Sequence, residues 1–234
     1  MLKEKEKKIT ENLRNMGMSL LPHYFAWYAW YFIVLLGCSL VWSFIATVTF
    51  FKNSNFILVW LLFLLTGTTL LSLAFIVCSF FVTAKPGVLM GIITFFILYA
   101  ISIGKSSINR PSESIYNLFA LSPFTGLSMA GANMTLLESL NNFGFGFVNF
   151  TQLINYFRYS TFVIITVIET IVFFLIGIYL DQVWPTEIGI KRHPLFCFGI
   201  KKKGDYEADA TKFQTIDAEY AKLNYEPISK ELLD

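Results

Sequence analysis

The sequence FVIITVIETIVFFLIGIYLDQVWPTEIGIKRHPLFCFGIKKK, residues 162–203, decides the fold of this chain. Its first half is almost wholly apolar, and its second half contains two prolines and a series of basic residues that ends in three lysines. An apolar run of about 18 or more residues is typical of a transmembrane helix. Because basic residues collect on the cytosolic side of such helices, the stretch predicts a spanning helix that ends at a cytosolic surface.

The whole chain has the composition of an integral membrane protein. Of its 234 residues, 55% are hydrophobic and only 15% are charged, whereas about 25% are charged in soluble domains. Between Tyr24 and Ala84 the single charged residue is Lys52. The net charge of +2 is too small to argue for a nucleic-acid partner. The apolar runs predict four spanning helices, at residues 24–50, 55–84, 87–104 and 160–181.

The region between the third and fourth predicted spans, residues 105–159, is too long for a simple turn and too apolar for a solvated loop. Residues 114–130 and 136–154 are each moderately apolar, but proline or glycine interrupts both. Interrupted backbone at membrane depth requires a protein cover, as in re-entrant segments. The predicted fold is therefore an all-α, polytopic membrane protein with four transmembrane helices and a pair of short re-entrant helices.

Three regions follow from this pattern: a cytosolic amphipathic helix at residues 1–23, a transmembrane domain at 24–184, and a cytosolic elbow and linker at 185–234. Basic residues precede the first span and follow the fourth, so both termini are predicted to be cytosolic. In the first region, an apolar residue recurs at the spacing of one helical face, at Ile9, Leu13, Met16 and Leu20. Such a helix is either solvated beside the membrane or docked on a partner, and the pattern leaves both alternatives open.

Few residues within the chain point to chemistry. Glu169 lies in the middle of the fourth span, where an ionisable group is a functional candidate. The alternative is that its side chain faces a partner helix or a cavity and is only hydrogen-bonded there. Two glycosylation sequons begin at Asn133 and Asn149, on the predicted extracytoplasmic side. The two histidines, His23 and His193, each lie at a membrane border, and no catalytic or metal-binding cluster can be assembled around them. The sequence predicts no enzymatic site in this chain.

The segment LDQVWPTEIGIKRHPLFCF, residues 180–198, resembles the end of a transmembrane domain in subfamily A of the ABC transporters. There, a Tyr-Leu-Asp step is followed by a proline, a short Glu-x-Gly run and basic, proline and aromatic residues. Near the other end, Glu4-Lys5-Glu6 and the segment 15–18 (NMGM) resemble the coupling helix of that subfamily. Ser122-Pro123 matches its re-entrant pair. The resemblance covers residues 3–200, and Ile188 departs from the aromatic residue usual before the glycine.

This resemblance implies the third to sixth helices of one ABC-2 type half, a lipid substrate, a second transmembrane half, and ATP with Mg bound on a nucleotide-binding domain that is missing or supplied by a partner. No cofactor is expected on this chain itself, which is expected to be a fragment, a truncated product or one piece of an assembly. The alternative is a non-transporting membrane scaffold or assembly subunit that keeps the fold without a motor. The residue patterns and the resemblance together give three groups of candidate functional residues: a coupling helix with Ile9, Leu13, Met16, Gly17 and Leu20; a translocation path with Glu169, Thr66 and Thr69; and a membrane-surface elbow with Pro185, Gly189, Lys191, Arg192 and Pro194.

Overall fold

The structure, a computed structural model, describes residues 2–7, 9, 16, 20–104, 112–141 and 144–183. The chain divides into two units, Met1–Gly189 and Ile190–Asp234, and every described residue belongs to the first. Its elements are, in chain order, α1 Leu2–Glu6, α2 Leu20–Thr49, α3 Phe56–Phe80, α4 Ala84–Gly104, α5 Glu113–Phe119, α6 Pro123–Asn141, a 3₁₀ turn Phe147–Asn149, β1 Leu153–Ile154, β2 Phe157–Arg158 and α7 Tyr159–Val183.

Within these described ranges, the four helices α2, α3, α4 and α7 are long and apolar enough to cross a membrane. They alternate in direction, so that the start of α2, the end of α3, the start of α4 and the end of α7 lie at the same end of the bundle. We call this the α1 end, because α1 packs there, and the other the hairpin end, because a β-hairpin formed by β1 and β2 leads into α7 there. The prediction of an all-α polytopic fold with four spanning helices and a short pair before the last one is confirmed.

The boundary between the second and third spans differs from the prediction. We expected Ala84-Lys85-Pro86-Gly87 to separate the two spans, but α3 already ends at Phe80 and α4 begins at Ala84. Pro86 therefore lies in the first turn of α4. The first turn of a helix tolerates proline because its N–H groups have no intrahelical acceptor.

The two short helices also have boundaries other than those expected. Pro123 begins α6 rather than interrupting a helix, because proline suits the first helical position. Phe124, at the turn between α5 and α6, packs edge-on against Phe95 with ring centroids 4.6 Å apart. Phe95 lies roughly 14 Å from the end of α4 at Gly104, at 1.5 Å per residue. The turn thus reaches about halfway along a spanning helix, as a re-entrant pair requires.

A short β-hairpin, which the sequence analysis did not predict, leads into α7. Leu153 pairs with Arg158 and Ile154 with Phe157, and the two turn residues between them both have positive φ, 49° at Asn155 and 62° at Tyr156. Positive φ at both positions is the backbone of a type I′ turn.

Parallel packing of α3 against α7 forms the centre of the fold. At the hairpin end, the Tyr159 hydroxyl donates to the carbonyl oxygen of Leu58 at 2.8 Å. At the α1 end, the Ser79 hydroxyl donates to the carbonyl oxygen of Gly177 at 2.9 Å. Small and hydroxyl side chains allow helices to approach closely and to bond to each other in a membrane. They hold α3 and α7 together along most of their length.

Candidate functional site

The α1 end carries the densest group of charged contacts in the described part of the chain. Lys5 in α1 forms an ion pair with Asp181 near the end of α7, and its ammonium group also donates to the carbonyl oxygen of Cys78 in α3 at 3.1 Å. The other oxygen of Asp181 accepts a hydrogen bond from the hydroxyl of Tyr24 in α2. The Lys5 and Asp181 side chains are only 13% and 11% exposed. This pair therefore joins α1 to three spanning helices.

The neighbouring glutamates of α1 extend these contacts to α4. Glu4 accepts a hydrogen bond from the indole nitrogen of Trp27 at 2.8 Å. Glu6 accepts one from the backbone nitrogen of Ala84 at 3.3 Å, at the start of α4, where a carboxylate also interacts favourably with the helix dipole. Leu2 packs so closely on Gly87 that a Cβ there would lie 2.6 Å from a leucine methyl group. All four spanning helices thus contact α1.

The structure describes only part of the predicted coupling helix. Ile9 is exposed and Met16 is 83% exposed, while Leu13 and Gly17 lie outside the described residues. Leu20 begins α2, and its side chain lies outside what the structure describes. A coupling role for these five residues stays a prediction. The observed contacts come instead from residues 2–6, whose Glu-Lys-Glu segment resembles the coupling helix of subfamily A.

The residues predicted to line a translocation path lie inside the helix packing. Thr66 donates to the carbonyl oxygen of Leu62 in its own helix at 2.9 Å. The Thr69 hydroxyl lies 3.0 Å from that of Thr170 in α7. Glu169 is 4% exposed, and neither of its carboxylate oxygens has a hydrogen-bond partner among the described residues. Thr69 therefore contributes to the contact between α3 and α7, and a translocation path through Thr66, Thr69 and Glu169 stays a prediction.

The two sequons have different surroundings. Asn133 is 1% exposed in α6, and its amide nitrogen, the atom that would carry a glycan, donates to the carbonyl oxygen of Phe157 at 2.9 Å. Asn149 is half-buried in the 3₁₀ turn, and Thr151 of its sequon is exposed. The folded domain leaves no room for a glycan on Asn133.

We therefore expect that Asn133→Gln leaves the electrophoretic mobility of the chain unchanged in glycosylating cells. Any glycan should be attached to Asn149, so Asn149→Gln should abolish whatever mobility shift a glycosidase produces. Loss of that shift in the Asn133 variant alone would contradict the buried position of Asn133.

The elbow residues Pro185, Gly189, Lys191, Arg192 and Pro194 all lie outside the described residues, which end with α7 at Val183. No group of three or more potential metal ligands occurs within the described ranges 2–7, 20–104, 112–141 and 144–183. The contacts around α1 are thus the candidate functional site.

Comparison of the chain with known proteins identifies its family. The family described as "ABC-2 family transporter protein" matches residues 1–179. The chain belongs to the ABC-2 transporter family. It is 29% identical to human "Cholesterol transporter ABCA5" over 98% of this chain and 14% of that protein. It is 25% identical to "ABC transporter A family member 9" of Dictyostelium discoideum over 82% of this chain and 23% of that protein.

The relatives are transporters of subfamily A, as the resemblance predicted, and this ABC-2 domain corresponds to only a part of each. An ABC-2 membrane domain is not itself catalytic. The domain is an integral, multi-pass membrane domain of the ABC-2 type, and its α1 contacts lie where the ends of the four spanning helices meet.

Proposed function

We propose that this chain is part of the transmembrane domain of a lipid-exporting ABC transporter of subfamily A. Lipid moves along a path formed with a second transmembrane half, and a nucleotide-binding domain that holds ATP and Mg drives the movement. The similarity to a protein named as a cholesterol transporter supports a lipid substrate.

The observation that carries the proposal is the position of α1 at the ends of all four spanning helices. The Lys5–Asp181 pair and the Glu6–Ala84 hydrogen bond connect one short segment to α7 and α4 respectively. A force applied to α1 reaches several helices at once because α1 contacts each of them. The Lys5–Asp181 pair is largely shielded from water, whereas the Glu6–Ala84 hydrogen bond lies at the exposed surface. In this proposal, the nucleotide-binding domain acts on α1, and the four helices move in response.

A transport assay tests the proposal. The complex that contains this chain is isolated through a tag on the chain and reconstituted in vesicles with fluorescent phospholipid or sterol. We expect lipid to leave the ATP-accessible leaflet with Mg-ATP, and not with Mg-ADP or with vanadate. A complex that contains the chain but moves no lipid with Mg-ATP would favour the membrane scaffold instead.

The orientation of the domain is a separate part of the proposal. The basic residues of α1 and of the segment after α7 favour a cytosolic α1 end, and four crossings then place both termini in the cytosol. In sealed, right-side-out vesicles, tags at the two termini should both resist added protease until detergent is present. Digestion of one tag alone would mean an odd number of crossings.

A further inference from the structure

A cavity of about 560 Å³ lies under α1, between α2, α3 and α4. Lys3 and Glu4 line its mouth, and Trp27 and Tyr31 form an aromatic wall, stacked with ring centroids 5.4 Å apart. Its deeper part is lined by apolar residues of α3 as far as Leu71, which lies roughly 14 Å inside the end of that helix. A polar mouth over an apolar interior at the membrane border has the shape of a site for an amphiphile.

The charges at the mouth of this cavity favour an anion. The nearby carboxylates of Glu4, Glu6 and Asp181 all have hydrogen-bond or ion-pair partners within the protein. Lys3 and Lys85, in contrast, are exposed and have no described carboxylate within salt-bridge distance. The same holds for Lys7. Of these three carboxylates, only that of Asp181 is paired with a described lysine, because Trp27 and the backbone of Ala84 are uncharged donors. The four lysines of this surface, at positions 3, 5, 7 and 85, nevertheless outnumber its three carboxylates, so its net charge is positive and favours an anion.

We propose that this cavity holds one anionic phospholipid from the leaflet at the α1 end. The anionic headgroup of this lipid lies at Lys3, and its glycerol region lies against Trp27 and Tyr31. One acyl chain occupies the apolar part of the cavity beside Ala74 and Leu71. Basic pockets between transmembrane helices are known to bind anionic headgroups in this way. The bound lipid would occupy the space between α1 and the spanning helices that α1 contacts.

The test uses the complete chain in nanodiscs, with Trp27 as the single tryptophan after the other four are changed to Phe. Bromine atoms on a lipid chain quench a tryptophan that they contact. We expect brominated phosphatidylserine to quench Trp27 at a mole fraction about fivefold lower than brominated phosphatidylcholine, which corresponds to one additional cation contact. Mass spectrometry of lipids retained by the unmodified chain, purified from mixed nanodiscs, should show the same preference.

Two variants and one control locate the site. Lys3→Gln should reduce the preference for phosphatidylserine almost to none, and Ala74→Phe should remove it by filling the cavity. Lys85→Gln removes a cation of the same surface that does not line the cavity, and it should keep the preference. Circular dichroism shows whether each variant retains its helices.

Three results would overturn the proposal: equal quenching by the two phospholipids, equal losses in the Lys3 and Lys85 variants, or stronger quenching by a brominated sterol than by either phospholipid. If a variant fails to fold, the lipid retained by the unmodified chain decides the question. The assay needs neither ATP nor a second subunit, so its outcome is independent of the transport assay.

Discussion

Lys5→Ala should destabilise the domain more than any other single substitution of a charged residue in α1. Removal of the ammonium group leaves the carboxylate of Asp181, which is 11% exposed, without its counter-charge. Breaking a buried pair from one side costs about 3 kcal/mol or more, because an uncompensated charge remains. The free energy of unfolding, measured by titrating the purified chain from mild detergent into SDS, should fall by about that amount.

The matched control is Lys7→Ala, since Lys7 is exposed and has no carboxylate within salt-bridge distance among the described residues. It should change the stability little. The exchanged pair, Lys5→Asp with Asp181→Lys, should recover part of the loss, because opposite charges again face each other. Equal stabilities of the Lys5 and Lys7 variants would show that the pair does not hold α1 in place.

Gly177→Ala should have the second-largest effect. A Cβ at this position of α7 would overlap the ring of Phe75 in α3. That ring also packs against the rings of Tyr24 and Phe174, with centroids 5.6 Å apart in both cases, so it has little space to move away. Forcing an extra carbon into a packed contact costs about 2 kcal/mol.

Gly91→Ala is the control for this substitution. Gly91 also lies in a spanning helix, but no atom comes within 4 Å of a Cβ built on it. The control should unfold at the same SDS concentration as the unmodified chain or at a higher one, because alanine favours a helix more than glycine does. If both glycine variants lose equal stability, close packing of α3 on α7 is not what requires glycine at 177.

The sequence predicted the spanning helices well because a long uncharged run has few alternatives in a membrane. The predicted helix ends were less accurate, because single residues determine where a helix begins or ends. Pro86 looked like an interruption but occupies the first turn of α4, and Pro123 looked like a break but begins α6. The β-hairpin was missed because strands of two residues are too short to show alternation, and its turn lacks the usual Asn-Gly sequence.

The contacts of the candidate site could not be predicted from the sequence in the same way. Lys5 and Asp181 both belong to segments that resemble subfamily A, but they are 176 residues apart, and no local pattern indicates that they meet. The sequon of Asn133 likewise does not show that the side chain is buried, because its burial depends on residues distant in the sequence. Hydropathy identified Glu169 as unusual, but which neighbours surround a residue depends on how the helices pack.

The most direct test of the account is the amount of lipid moved per ATP hydrolysed by the reconstituted transporter. If α1 transmits the movement of a nucleotide-binding domain through the Lys5–Asp181 pair, Lys5→Gln should reduce this ratio several-fold while ATP hydrolysis continues. Lys7→Gln, at the exposed neighbouring cation, should leave the ratio unchanged. An unchanged ratio in the Lys5 variant, with full lipid transport, would contradict the role of α1 in coupling.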